Sequence, residues 1–309
     1  MTFGWKTEQE EATKIVAHFL EQGGNFIDTA NVYGRGKSET ILGTSLKELG
    51  VRDKIVLATK VHGKMDDNDP NASGNTRFNI IKAAEDSLRR LQTDHIDLYQ
   101  IHRPQTSVPI DETLQALDDL VRSGKVRYIG TSTYAAWQVV ESLWASKQLG
   151  LNRFVTEQPP YNILDRRIER ELIPVSKTYG IGILPWSPLA GGKLTGKYRR
   201  GEAQPENSRE DPSKFSDEAW AVLEAVDQLA KEKGTTPTAF ANAWVAAQPA
   251  VTAPIIGPNS LAQLIENLEA SNVTITDDDK KKIDELVPPG TNVKGQNYYQ
   301  ADHGPTTRW

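Results

Sequence analysis

The 309-residue sequence predicts an α/β fold in one domain, a closed (β/α)8 TIM barrel over residues 1–309. Two patterns and one missing motif lead there. Short apolar runs alternate with amphipathic helical stretches at the spacing of a βα unit, usually about 25–40 residues. The runs are apolar at successive rather than alternate positions, as in strands covered by helices on both faces. No G-x-G-x-x-G or G-x-x-x-x-G-K-[ST] occurs. The rival open doubly wound sheet usually carries such a glycine fingerprint after its first strand.

In chain order, Met1–Gly4 is a strand stub, followed by runs at Asn25–Ile27, Ile55–Ala58, Ile96–Ile101, Val126–Ile129, Phe154–Val155, Ile181–Leu184 and Val251–Ile256. Seven runs and the stub make the eight strands of a barrel. Between them, Phe78, Ile81, Ala84, Leu88 and Leu91 share one face of a helix over Thr76–Leu91, and Ile110, Leu114, Leu117 and Val121 share one face of the next. The interval after the seventh strand is the longest. It has room for an extra helix, Asp217–Lys233, and a long loop, Ser187–Pro212, rich in Gly, Pro and basic residues. Gly234 to Ile265 carries no charge, but Asn242, Gln248, Pro249, Thr252 and Pro254 interrupt it. A membrane span needs about 20 mainly apolar residues, so a buried helix, Thr238–Ala247, and a buried strand are expected instead. From about 288 the chain has no helical or strand period, and the aromatics of this tail, Tyr298, Tyr299 and Trp309, are candidates for pocket walls.

Composition narrows the function. With 36 Lys and Arg against 41 Asp and Glu, the net charge is −5 and mixed along the chain. That argues against a nucleic-acid or anionic-membrane partner. Cysteine is absent, which removes disulfides, thiolate metal sites and cysteine nucleophiles. Nothing resembles a signal peptide, so a cytoplasmic protein is expected.

Four ionisable residues stand at or just beyond the ends of three apolar runs: Asp28 and Tyr33, Lys60, and His102. The carboxyl-terminal rim of a βα barrel is where active sites are built. Singly, each has a plain explanation as a helix cap, a rim aromatic or a solvated charge. Together they are more telling, because a buried Asp–Lys pair is costly without a purpose. A free phenol holds its proton to a pH near ~10. An ammonium beside it eases proton loss, and a carboxylate beyond keeps that ammonium charged. An imidazole can meanwhile donate to a substrate oxygen. Such a set protonates an alkoxide as it forms on a carbonyl carbon.

These residues also carry a resemblance. Asp28-Thr-Ala-Asn-Val-Tyr33-Gly34, Lys60, Ile101-His102-Arg103-Pro104, Gly130-Thr-Ser132, Glu157-Gln158-Pro-Pro-Tyr-Asn162, Trp186-Ser187-Pro188-Leu189-Ala-Gly-Gly192 and Ile256-Gly257-Pro258 resemble the motifs of the aldo-keto reductase superfamily, in its bacterial-type branch related to potassium-channel β-subunit-like reductases. The resemblance runs from Phe3 to about Ala270. It implies a barrel that binds NADP(H), with NAD(H) as a second cofactor, and reduces a small aldehyde or ketone without a metal. Tyr33 would be the general acid, Lys60 its activating cation paired to Asp28, and His102 the orienter of the carbonyl. Ser132, Thr133 and Gln158 would hold the nicotinamide carboxamide. Trp186, Ser187, Pro188, Leu189, Gly192 and Lys193 would line the cofactor and its pyrophosphate. Ile256, Gly257, Asn259, Gln263 and Asn267 would reach its adenosine end. His62, Trp137, Trp186 and Tyr198 are further candidates for pocket walls.

Three departures from the pattern stand out. The sequence starts at Met1-Thr-Phe-Gly-Trp5, where relatives already have a floor hairpin and most of strand 1, so both are expected to be missing or stunted. Thr133 follows Ser132 where many relatives place Asn. Asn259 stands where NADPH-preferring relatives often show Arg. The competing reading is a nucleotide-sensing regulatory subunit of the channel β-subunit type with little turnover.

Overall fold

A computed structural model describes residues 1–205, 208 and 210–295; Tyr298, Tyr299 and Trp309 lie outside them. The described chain falls into two compact units, Met1–Glu157 with Gly257–Leu264, and Gln158–Ile256 with the chain from Ile265.

In the first unit, α1 (Gln9–Glu21), β1 (Phe26–Asp28), α2 (Lys37–Leu49), β2 (Val56–Val61), α3 (Arg77–Leu91), β3 (Ile96–Ile101), α4 (Ile110–Arg122), β4 (Val126–Ser132) and α5 (Ala136–Leu149) alternate, and β5 (Thr156–Gln158) begins. Strand order equals chain order, and β1 through β4 pair in parallel, with Asp28 opposite Ala58 and Lys60 opposite Gln100. Beside them the Val155 N–H donates to the Ile129 carbonyl at 2.9 Å. The expected apolar runs are these strands, displaced by up to two or three residues. Thr76 ends the loop before α3 by accepting the Asn79 N–H, so the expected Thr76–Leu91 helix begins one residue later. Leu57, Ile80, Leu91, Tyr99, Leu114 and Leu117 fill the space between strands and helices, whereas Ile96 and Leu98 lie on the other face of β3 with Gln100.

The expected strand at Met1–Gly4 is instead a tight turn. Gly4 takes φ 77°, its N–H returns to the Thr7 carbonyl, and Phe3 bridges Thr7. The Thr2 and Thr7 hydroxyls then anchor this turn on the carbonyls of Pro258 and Asn259.

The second unit continues β5 and holds α6 (Leu172–Tyr179), β6 (Gly182–Ile183), α7 (Asp217–Glu232), α8 (Pro237–Ala246), the end of α9 (Leu261–Leu268) and α10 (Asp277–Leu286). The expected strand Val251–Ile256 is reduced to single parallel bridges, Ile183 to Val251 and Trp186 to Ile255. Pro185 and Pro254 lack the N–H groups that a continuous ladder needs. Six regular strands are thus found among the described residues, where eight were expected. The chain beyond α10 is not loose. Val293 N–H bonds to the Leu164 carbonyl, Arg166 N–H to Thr291, and Asp165 bridges Asn292. Among the described residues no helix is long and apolar enough to cross a membrane.

On the helix side of the first unit, Glu39 of α2 is fully buried. It accepts from Thr59 Oγ1 at 2.5 Å and from Arg90 Nε of α3 at 2.7 Å. Arg90→Met leaves that carboxylate buried without its cation, which costs about 3–5 kcal/mol. Urea unfolding should show such a loss, and the double variant Glu39→Leu/Arg90→Met should recover most of it. A single variant within ~0.5 kcal/mol of wild type would show that the pair does not hold α2 and α3 to the sheet.

Candidate active site

Side chains two apart on a strand share a face, and residues opposite one another in parallel strands share it too. Asp28, Lys60 and Gln100 therefore meet on the face turned away from Glu39. Lys60 has no solvent exposure. Its ammonium pairs with Asp28 Oδ2 and donates to the Thr29 carbonyl at 2.9 Å. Asp28 Oδ1 accepts from Gln100 Nε2 at 3.0 Å. Gly130 stands opposite Gln100 on β4, where a Cβ would lie 2.2 Å from Thr156 Oγ1 and 3.3 Å from Gln100 Cγ. Thr156, Gln100 and Leu98 already fill the space that a side chain there would need.

Tyr33 follows β1 because the main chain keeps to β2 past the strand's end. Thr29 N–H bonds to Ala58 and Asn31 N–H to Lys60 before the turn at Tyr33–Gly36. Left-handed φ values at Gly34, Arg35 and Gly36 close that turn. Lys60 Nζ lies 5.3 Å from the Tyr33 ring centroid, and His102 stands edge-on to the phenol at 5.6 Å between centroids. The four residues singled out in sequence do come together. Sequence reasoning missed Gln100, although its place two residues before His102 puts it on the same face.

The β4–α5 turn carries Ser132 and Thr133, both buried. Thr133 takes φ 62°, a left-handed conformation that is rare for a β-branched residue and eased by Asn. Arg103 Nη1 donates to Thr133 Oγ1 at 3.0 Å and to the His102 carbonyl at 2.7 Å. Behind the turn, Glu157 Oε1 accepts the Tyr134 N–H at 3.0 Å. Burial pushes the Glu157 carboxyl up to about 8, against the opposing pull of the Thr131 hydroxyl, the Tyr134 and Thr133 N–H groups and the Arg103 guanidinium. Also in this unit, Gln263 Oε1 accepts the Asn259 N–H at 2.8 Å, and Asn259 Oδ1 is buried without a hydrogen-bond partner. His62 is oriented by Asn75, whose Oδ1 lies 2.9 Å from Nδ1. Trp137 lies on α5 with 37 % of its surface exposed.

In the second unit, the long loop is a compact turn where it follows Trp186. Ser187, Ala190, Gly191 and Gly192 all have positive φ. Ser187 Oγ accepts the Gly191 N–H, its carbonyl accepts from Asn162 Nδ2 and from the Ala190 N–H, and Leu189 accepts the Gly192 N–H. The Glu210 carboxylate rests on this turn, 2.9 Å from where a Gly191 Cβ would be and 3.3 Å from Lys193 Nζ. The lysine of this turn thus already pairs with a carboxylate. Asn267 is buried and accepts from Asn242 Nδ2 of α8 at 2.7 Å. Tyr198, expected as a pocket wall, is 2 % exposed with its ring against Phe215, and so belongs to the core.

A family model described as the aldo/keto reductase family matches residues 1–288. The uncharacterized oxidoreductase YrpG of Bacillus subtilis is 38% identical over 299 residues, covering 94% of this chain and 91% of its own. A probable voltage-gated potassium channel β-subunit of Arabidopsis thaliana is 36% identical over 283 residues, covering 88% and 85%. The versiconal hemiacetal acetate reductase of Aspergillus parasiticus is 32% identical over 308 residues, covering 93% and 89%.

Glu157 couples the fold to pH. The unfolded chain releases this proton at the ordinary value of 4.5, whereas the folded protein keeps it to about 8. Between those values the folded state binds the extra proton, so this group's contribution to stability falls as pH rises, and the loss is complete above about 8. Glu157→Gln removes the titration. Its stability relative to wild type should climb across this window with a slope approaching ~1.4 kcal/mol per pH unit, measured by urea unfolding at several pH values. Parallel curves for the two proteins would mean that the carboxyl does not hold its proton.

Proposed function

From membership of the aldo/keto reductase family, to which this chain belongs as an NAD(P)H-dependent oxidoreductase, we propose that it reduces a small aldehyde or ketone to the alcohol with Tyr33 as the general acid. One observation carries this reading: Lys60 is fully buried against Asp28, with the Tyr33 ring 5.3 Å from its ammonium. NAD(P)H, when bound, supplies the hydride. Tyr33 gives its phenolic proton to the carbonyl oxygen as negative charge develops there. The Lys60 ammonium, fixed by Asp28 and the Thr29 carbonyl, stabilises the phenolate left behind. Gln100 holds the far oxygen of Asp28, so the carboxylate stays aimed at the lysine. His102, edge-on to the phenol, donates to the same carbonyl oxygen and orients it.

Each unit carries residues suited to part of a dinucleotide. The turn with Ser187, Leu189, Gly192 and Lys193 is proposed to hold the pyrophosphate, with Glu210 displaced from Lys193, and Trp186 and Pro188 to flank it. Ser132, Thr133 and Gln158 are proposed for the carboxamide, and Ile256, Gly257, Asn259, Gln263 and Asn267 for the adenosine end. We propose further that the chain is a single (β/α)8 domain acting in the cytoplasm. Nothing in the tetrad favours a regulatory subunit over an enzyme.

Cofactor choice follows from Asn259. Its unpartnered Oδ1 suits a ribose hydroxyl, which donates, better than a 2′-phosphate, which only accepts. Use of both cofactors is proposed, with NADPH preferred only modestly, because Asn259 adds nothing to the grip on its 2′-phosphate. Asn259→Arg supplies a guanidinium that can grip phosphate bidentately. By fluorescence titration it should tighten NADPH binding more than NADH binding; equal effects would remove position 259 from the 2′-phosphate.

Tyr33→Phe keeps the ring and removes the transferable proton. General acid catalysis is worth about 10²–10⁴-fold, so reduction of a reactive aromatic aldehyde should fall by at least that range while NADPH affinity holds. Lys60→Met should also slow reduction. A Tyr33→Phe protein turning over at near-normal rate would sink the mechanism.

A further inference from the structure

Glu157 has no solvent exposure and takes no part in the proton transfer above. Its surroundings are specific all the same. Its Oε1 holds the N–H of Tyr134, the residue after Thr133. Thr133 is a β-branched residue in the left-handed region, φ 62°, a conformation that persists only where its surroundings impose it. From the other side Arg103 donates to Thr133 Oγ1 and, through the same Nη1, to the His102 carbonyl. Ser132 Oγ lies 3.4 Å from Thr133 Oγ1, so the two hydroxyls are neighbours on this turn. A carboxyl and a guanidinium therefore clamp one turn, and the guanidinium carries the clamp to His102.

We propose that Glu157 is a positioning residue for cofactor recognition, which imposes the left-handed Thr133 and so sets the Ser132 and Thr133 hydroxyls where the nicotinamide carboxamide is read. This rests on the carboxamide reading of those two residues. The carboxyl acts as a neutral acceptor, since burial keeps it protonated to about 8. The charged and titratable groups around it are the Arg103 guanidinium and the Tyr134 phenol, itself pushed up by burial and by Glu157. A neutral amide of the same size should therefore replace it.

The test compares binding of NADPH with that of its analogue carrying an acetyl group in place of the carboxamide, by fluorescence titration of the full-length protein. Wild type should prefer NADPH. Ser132→Ala should shrink that preference, and Glu157→Leu should shrink it by about tenfold, the worth of roughly one hydrogen bond. Glu157→Gln should keep it at pH 7. Arg103→Met releases the opposite side of the clamp and should behave like Glu157→Leu, which keeps the question open to experiment if the leucine variant fails to fold. Retention of the full preference by Glu157→Leu or Arg103→Met, while Ser132→Ala loses it, would overturn the positioning role alone. A glutamine variant as impaired as the leucine would overturn it too. Full preference in Ser132→Ala would overturn the carboxamide reading, and this inference with it.

Discussion

A lysine ammonium without solvent exposure is the constraint around which the first unit is arranged. Removing such a charge from water costs several kcal/mol even after relaxation, and a single carboxylate repays this only with good geometry and satisfied neighbours. Two parts of the chain accordingly supply what surrounds Lys60. Asp28 ends β1, the Thr29 carbonyl lies one residue on, and Gln100 of β3 occupies the other oxygen of Asp28. The parallel register supplies this meeting, since Lys60 stands opposite Gln100 and Ala58 opposite Asp28. Shifting β2 by one residue would turn Lys60 to the helix side, into the place of Thr59 and beside Glu39.

The helix side shows the complementary solution. Thr59, next to Lys60 and on the opposite face, donates to a buried carboxylate whose cation comes from α3. Two ion pairs thus sit back to back across one strand. Their partners are chosen by strand alternation, and neither can exchange with the other. The pair facing the helices couples α2 to α3. The pair on the other face leaves its ammonium beside a phenol.

Much of this was legible in the sequence because charge on an apolar strand is conspicuous. Asp28, Lys60 and His102 announce themselves by interrupting apolar runs, and Tyr33 by its place in the loop that follows. Gln100 does not, since a neutral amide inside Ile96–Ile101 reads as a tolerated polar residue. Glu157 is visible only as a neighbour of Gln158, because its partner is a main-chain N–H across the turn rather than part of a side-chain pattern. The strands of the second unit were over-read for a backbone reason. Ile181–Leu184 and Val251–Ile256 are apolar enough, but Pro185 and Pro254 leave a ladder of isolated bridges. The opening residues were over-read as well, since Gly4 turns them back on Thr7.

Besides closing several helices, positive φ shapes the turns around the candidate site. In the first unit it appears at Gly34, Arg35 and Gly36 behind Tyr33 and at Thr133 after β4; in the second at Ser187, Ala190, Gly191 and Gly192. Glycine accepts that conformation at no steric cost, so the glycine positions need no further support. Arg35, Thr133, Ser187 and Ala190 do need it, and the latter three have it in visible form. Arg103 and Glu157 brace Thr133, while Asn162 and the Gly191 N–H brace Ser187, whose carbonyl in turn takes the Ala190 N–H. Strain held this way is useful because it leaves one arrangement of hydroxyls and N–H groups instead of several. A ligand met by such a turn orders fewer protein groups on binding, and that favours affinity and alignment together.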